Sequence, residues 1–126
     1  MSKIKTSKAP KAIGAYSQGV RCDELVFTSG QIGIIPETGE LINQNFEKEV
    51  LQVLNNVSAV LKAGGSSIES AIKLTVFLID LSKFKIVNDI FVDFFDGEYP
   101  ARSAVQVSAL PLNANIEIEA VGRVSR

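Results

Sequence analysis

Two amphipathic helical stretches set among short alternating strands predict an α+β domain, a mixed sheet with both helices packed on one face. The order read along the chain is β-β-α-β-α-β-β. The chain has 126 residues, 46% of them hydrophobic and 21% charged. That length and balance predict a single domain over residues 1–126, able to bury a core without a disulfide or a structural metal.

Ser17 to Cys22 reads as a short strand and Asp23-Glu24 as a turn. Leu25 to Ser29 carries the β-branched and aromatic residues of a second strand. Gly30, Gly33, Pro36 and Gly39 make Gly30 to Leu41 a loop. Phe46, Val50, Val53, Leu54, Val57, Val60 and Leu61 fall on helical spacing. Asn43 or Asn45 caps that helix, and Gly64-Gly65 ends it. Ser66 and Glu69 have capping-box spacing, which predicts a helical turn. Ile72 to Asp80 is the central strand, with Ile72, Leu74, Val76 and Leu78 on one face; Phe77 and Ile79 make the other face partly apolar. Ser82 caps a second helix carrying Phe84, Val87, Ile90, Phe91, Phe94 and Phe95, and Gly97 and Pro100 stop it.

Ala101 to Ala109 and Asn115 to Arg123 are the last two strands. If their apolar sides lie under the helices, their polar sides present Arg102, Gln106, Glu117 and Glu119 on the uncovered face. Such a face is either wet or buried against copies of the same chain.

Several chemistries are excluded. Thirteen basic and fourteen acidic residues leave a net charge of -1, so no basic stripe grips nucleic acid or an anionic membrane. Histidine is absent, which removes Ser-His-Asp and Cys-His catalysis, zinc-histidine sites and histidine acid/base work. The lone Cys22 forms no intrachain disulfide, which fits a cytoplasmic protein. The first residues show no apolar signal region, and runs such as Val76 to Ile79 are far too short to span a bilayer. No acidic or cysteine cluster has metal-ligand spacing, and the glycines form no phosphate loop.

Four stretches carry a resemblance. They are Ile13-Gly14-Ala15-Tyr16-Ser17-Gln18-Gly19, Thr28-Ser29-Gly30-Gln31-Ile32, Tyr99-Pro100-Ala101-Arg102-Ser103, and Leu110-Pro111 followed by Ile116-Glu117-Ile118-Glu119-Ala120. Lys73 to Leu78 with Asp80-Leu81 adds a central-strand match. In this order the set resembles the RidA/YjgF family of reactive-intermediate (enamine/imine) deaminases over nearly the whole chain. The resemblance implies a chorismate-mutase-like protomer assembling as a homotrimer, sheets inward, with three ligand sites between neighbouring subunits. It also implies that Arg102 binds a substrate carboxylate, that Glu117 positions or activates water, and that Tyr16, Ser29 and Gly30 line the pocket. Two positions depart from the family pattern: Ala15 stands where many members have proline, and Ala104 where many bacterial deaminases have cysteine. In those relatives the backbone at the second position helps hold the ligand, and Ala104 keeps that backbone group.

The chemistry of these residues fits the implied roles. A guanidinium such as that of Arg102 matches a carboxylate with two parallel hydrogen bonds; the alternative is an interface salt bridge to Glu117 or Glu119. A glutamate can take a proton from water, and Glu119 competes with Glu117 for the task. Ser29 lacks a histidine to activate it, so Ser29-Gly30 offers a hydroxyl and a backbone N–H rather than a nucleophile. Tyr16 can donate a hydrogen bond and wall the pocket.

In a tight hairpin of the last two strands, Glu117 would lie roughly 16 Å along the sheet from Arg102, at about 3.3 Å per residue. Either the strands pair otherwise or the site borrows one residue from a neighbouring copy, and the second reading is preferred. The expected function is hydrolysis of small 2-imino acids or their enamines (2-iminopropanoate, 2-iminobutanoate, 2-aminoacrylate) to 2-oxo acids and ammonia. No cofactor or metal is required, and the expected partners are the small imino or oxo acid and two further copies of the chain, with no nucleic acid or membrane. The alternatives are a non-catalytic 2-oxo-acid-binding regulatory protein and an endoribonuclease-type translation inhibitor.

Overall fold

Asn45 starts the first helix, α1 (Phe46–Ala63): its side-chain oxygen accepts from the Lys48 N–H at 3.0 Å. The chain leaves α1 through Gly64 and the left-handed Gly65, whose φ is +92°. The computed structural model describes residues 1–125. The remaining elements are β1 (Ser2–Ile4), β2 (Gly19–Cys22), β3 (Leu25–Thr28), β4 (Ala71–Leu78), α2 (Phe84–Phe95), β5 (Ala101–Gln106) and β6 (Ile116–Arg123), with short 3-10 turns between some of them. The strands form one mixed sheet in the order β1-β2-β3-β6-β4-β5. Only β4 and β5 run parallel, joined through α2.

Both helices pack on one face, as the apolar spacing predicts. Val50, Val53, Leu54, Val57, Val60 and Leu61 of α1 are buried with Val87, Phe91 and Phe95 of α2. They meet Leu74, Val76 and Leu78 of β4, which stand opposite Ala120, Ile118 and Ile116 of β6. Each large aliphatic side chain buried in this way contributes about 1.5–3 kcal/mol.

Several expectations about the elements are corrected. A strand at Ser2–Ile4 joins the sheet edge because Ile4 drops into the core there. Ile72 does not share the Leu74 face. A bulge between Ala71 and Lys73 leaves Ile72 outside the ladder and 45% exposed. Ser67, not Ser66, caps the turn at Ile68–Ser70, while Ser66 turns inward and donates to the Arg123 carbonyl at 2.6 Å. Ser82 does not cap α2 directly. Asp80 caps a 3-10 turn, Leu81–Lys83, that leads into it. The hydrogen bonds from Ser82 to the Asp80 carboxylate hold that group below its ordinary acidity range.

The largest correction concerns the last two strands. They do not pair with each other, because β4 lies between them. Val107 N–H bonds to the Leu78 carbonyl and Ile79 N–H to the Asn115 carbonyl, so residues 107–115 carry the chain around the end of β4. Arg102, Ala104 and Gln106 align with Leu74, Val76 and Leu78, on the helix side. Glu117 and Glu119 align with Phe77 and Thr75, on the opposite side. The expected grouping of Arg102 and Gln106 with the two glutamates on the uncovered face is therefore wrong.

The close packing of β6 under α1 has a direct test. A Cβ on Gly122 would stand 2.5 Å from Ser66 Oγ and 2.9 Å from Leu61 Cδ2. Gly122→Ala should lower unfolding stability by about 1–3 kcal/mol, read as a lower urea midpoint at unchanged m-value.

Candidate active site

The segment after β3 turns back against β6. Ser29 N–H bonds to the Gln18 carbonyl at 2.8 Å, and its hydroxyl donates to the Ser17 carbonyl at 2.5 Å. Gln31 exchanges both backbone hydrogen bonds with Ile118, at 2.8 and 3.0 Å. Gly30 consequently runs beside Glu117, and a Cβ there would stand only 2.5 Å from the carboxylate Oε2. Any larger residue would push the acid out, so this glycine is required by a close approach.

The wall opposite is built by one buried amide. The Gln18 side chain accepts from Thr6 N–H at 2.7 Å and donates to the Pro10 carbonyl at 2.7 Å. This ties the segment ahead of β2 onto the sheet. Tyr16 then closes a cavity of about 70 Å³ lined also by Lys11, Gly30, Gln31, Pro111 and Glu117. Such a space admits a few water-sized groups. The structure thus brings together Tyr16, Gly30 and Glu117, with Ser29 adjoining. Glu119 is exposed and does not line the cavity.

Burial raises the pKa of Glu117 above the ordinary glutamate value, and the neighbouring Glu119 charge raises it further. A half-buried carboxyl so poised can exchange a proton with a water in the cavity.

Arg102 lies elsewhere. Its guanidinium stacks 4.5 Å from the Phe84 ring centre and 5.7 Å from that of Phe91. One of its terminal nitrogens donates to Asn88 Oδ1 at 3.2 Å. Among the described residues it forms no ion pair, and its side chain is exposed, so its remaining donors face outward. Ala104 stands two residues further along the same side of β5, partly buried against the core. From the pairings, Arg102 and Glu117 are separated by three residues along β4 and by two strand spacings across it, roughly 14 Å of backbone. They also point to opposite faces. Arg102, the cation expected to bind a carboxylate, and Glu117 do not form one site within the chain, and an ion pair between them inside it is excluded. Asn88, Phe84 and Phe91 around the guanidinium, and Gln18 and Gln31 around the acid, were not singled out by the sequence as site residues. For Asn88 the signal was available: it lies one turn beyond Phe84 on the same helix stripe.

Comparisons with known proteins bear on the family and the fold. The Endoribonuclease L-PSP family profile matches residues 6–124. The chain belongs to this family, also known as RidA/YjgF. Reactive Intermediate Deaminase A, chloroplastic, of Arabidopsis thaliana is 48% identical over 94% of this chain, which spans 63% of that longer protein. The 2-iminobutanoate/2-iminopropanoate deaminase of Rattus norvegicus is 48% identical over 94% of this chain and 86% of its own length. Among solved structures, E. coli TdcF with bound serine is 43% identical with a TM-score of 0.93, covering 99% of this chain and 100% of its own. RidA from the Antarctic bacterium Psychrobacter is also 43% identical, with a TM-score of 0.94 over 98% of this chain and 100% of its own. No helix among the described residues is long and apolar enough to cross a membrane.

The raised Glu117 pKa fixes the sign of a pH effect. Unfolding releases this carboxyl to its ordinary value, so between the two values the folded state holds more protons. Stability should therefore fall as pH rises through that window, and Glu117→Gln should flatten the fall. Chemical denaturation of both proteins from pH 4 to 7 measures the difference.

Proposed function

We propose that this chain is a deaminase of small 2-imino acids and their enamines, working as a homotrimer whose site is shared between copies. The observation that carries the reading is the split geometry. An exposed guanidinium without a carboxylate partner lies on one face, and a half-buried acid beside a cavity lies on the other. Relatives sharing 43–48% identity over 94% of this chain are named 2-iminobutanoate/2-iminopropanoate deaminases. Serine, a small amino acid, is bound in TdcF.

Association of copies is supported by the uncovered sheet face. Phe27 and Val105 remain 43% and 44% exposed there, with Phe77 and Val121 between them. An apolar surface of this kind favours contact with a partner over water. Arg102 of one copy, at the sheet edge, can then approach the Glu117 cavity of the next.

In this reading Arg102 clamps the substrate carboxylate, with the Phe84 ring and Asn88 holding the guanidinium flat. The Gly30 backbone and Tyr16 bound the reacting carbon, and Ser29 and the Ala104 backbone help orient the ligand. Glu117 takes a proton from water as the oxygen bonds to the C=N carbon. That proton passes to nitrogen, giving the carbinolamine. The new hydroxyl then gives its proton by way of Glu117 to the departing nitrogen as the C–N bond breaks and the C=O forms, so ammonia leaves a 2-oxo acid. An enamine first becomes the imine by taking a proton on carbon. An imine is already electrophilic, so positioning and one base are sufficient.

A threonine dehydratase generating imine beside the purified protein supplies the test. Ammonia and 2-oxo acid should form faster with the protein present. Arg102→Ala should remove the gain without altering the oligomer in sedimentation, and Glu117→Gln should lower kcat by about 10²- to 10⁴-fold. Ligand binding without acceleration would point instead to a 2-oxo-acid-binding regulator. RNA cleavage that survives Arg102→Ala would point to the ribonuclease that the family is named for.

A further inference from the structure

Glu49 is fully buried in α1, the only acidic residue so placed among the described residues. No cation pairs with it there. A buried carboxylate without a cation is expensive, so its hydrogen bonds must be specific. Both oxygens are taken by one residue. Asn115 donates its backbone N–H to Oε2 at 2.8 Å and its side-chain Nδ2 to Oε1 at 2.7 Å. Only a carboxylate offers two acceptors in this fork; a glutamine would turn its NH2 against one of the two donors.

Asn115 immediately precedes β6 and lies two residues before Glu117. Beyond Glu117, Ile118 is held by both backbone bonds to Gln31. The acid thus sits between two fixed points, one anchored to α1 and one to the Gly30 segment. Gly33 permits the first anchor, since a Cβ there would stand 3.0 Å from Glu49 Cγ.

We propose that Glu49 is a positioning residue, whose buried carboxylate grips Asn115 and so sets where and how deeply Glu117 faces the cavity. Its kinetic consequence rests on the deaminase reading; its structural consequence does not. The other groups facing Glu117 are Glu119 on its own strand, Lys11 and Tyr16 across the cavity, and the uncharged Phe77 and Thr75 of β4.

The experiment compares the full-length wild type with Glu49→Gln, Asn115→Ala and the double variant Glu49→Gln/Asn115→Asp. It reads the Glu117 carboxyl titration by carbon-13 NMR, together with kcat and KM for imine hydrolysis. Loosening the start of β6 exposes Glu117, so its titration should move down toward the ordinary glutamate range in both single variants, and the acid limb of the kcat profile should follow. The kcat should fall at least about 10-fold, since small misplacements of a reacting group are costly. KM should hold within about twofold, because Arg102 is anchored separately. The double variant rebuilds the fork with one donor and one acceptor exchanged and should recover most of both readouts, short of what is lost with the 3.4 Å bond from Asn115 Nδ2 to the Asn43 carbonyl.

A Glu117 titration and a kcat per folded molecule equal to wild type, with only a lower melting temperature, would overturn the proposal and leave Glu49 a packing residue. If Glu49→Gln does not fold, Asn115→Ala, which keeps the backbone bond, is judged by the same two readouts. A wild type that hydrolyses no imine, alongside shifted Glu117 titrations in the variants, would sink the deaminase reading and uphold this one.

Discussion

Residues that stand opposite one another across paired strands share a face of the sheet, and this rule governs the molecule's chemistry. The register of β4 with β5 sets Arg102 beside Leu74. Its register with β6 sets Glu117 beside Phe77. Leu74 and Phe77 are an odd number of residues apart, so Arg102 and Glu117 face opposite ways. The hydrophobic core enforces the arrangement, because Leu74, Val76, Leu78, Ile116 and Ile118 are completely buried under the helices. Sliding either strand by one residue would turn its apolar side chains to the other face. A chain built this way carries the cation and the acid on opposite faces, and in the proposed reading a second copy joins them.

Each half is prepared by contacts that cost little to make. The guanidinium rests on the partly buried Phe84 and the buried Phe91, both packed by the second helix in any case, so its orientation comes with the packing. The acid lies against the Gly30 backbone, where partial burial and the Glu119 charge disfavour its ionised form. A carboxyl raised in this way binds and releases a proton more readily near neutral pH than an exposed one. The buried amides of Gln18 and Asn56 hold the surrounding loops by accepting or donating to backbone groups that no strand satisfies.

Periodicity alone was enough to read the helices and most of the strands. The α1 stripe from Phe46 to Leu61 is the clearest case, since burial of an amphipathic face is a local property of spacing. The same stripe contains Glu49 and Asn56, two polar residues seven apart where spacing calls for apolar ones. They marked loop-anchoring sites, but their partners at Asn115 and Ile32 lie 66 and 24 residues away. Caps were less legible, because Ser66 and Ser67, or Asp80 and Ser82, offer nearly the same side-chain oxygen and only the local backbone path chooses between them.

By itself the sequence determined the two-helix, one-sheet class, the family motifs, the residues worth examining, and the exclusion of histidine chemistry. Alternation along a strand told which residues of that strand share a side. It could not tell which side of the sheet that was, because this depends on pairing with strands distant in the chain. The tertiary structure alone decided that β4 separates β5 from β6, that a bulge shifts Ile72 out of the ladder, and that Arg102 lies under α2 while Glu117 does not. Those are outcomes of non-local packing, and no local pattern of residues encodes them.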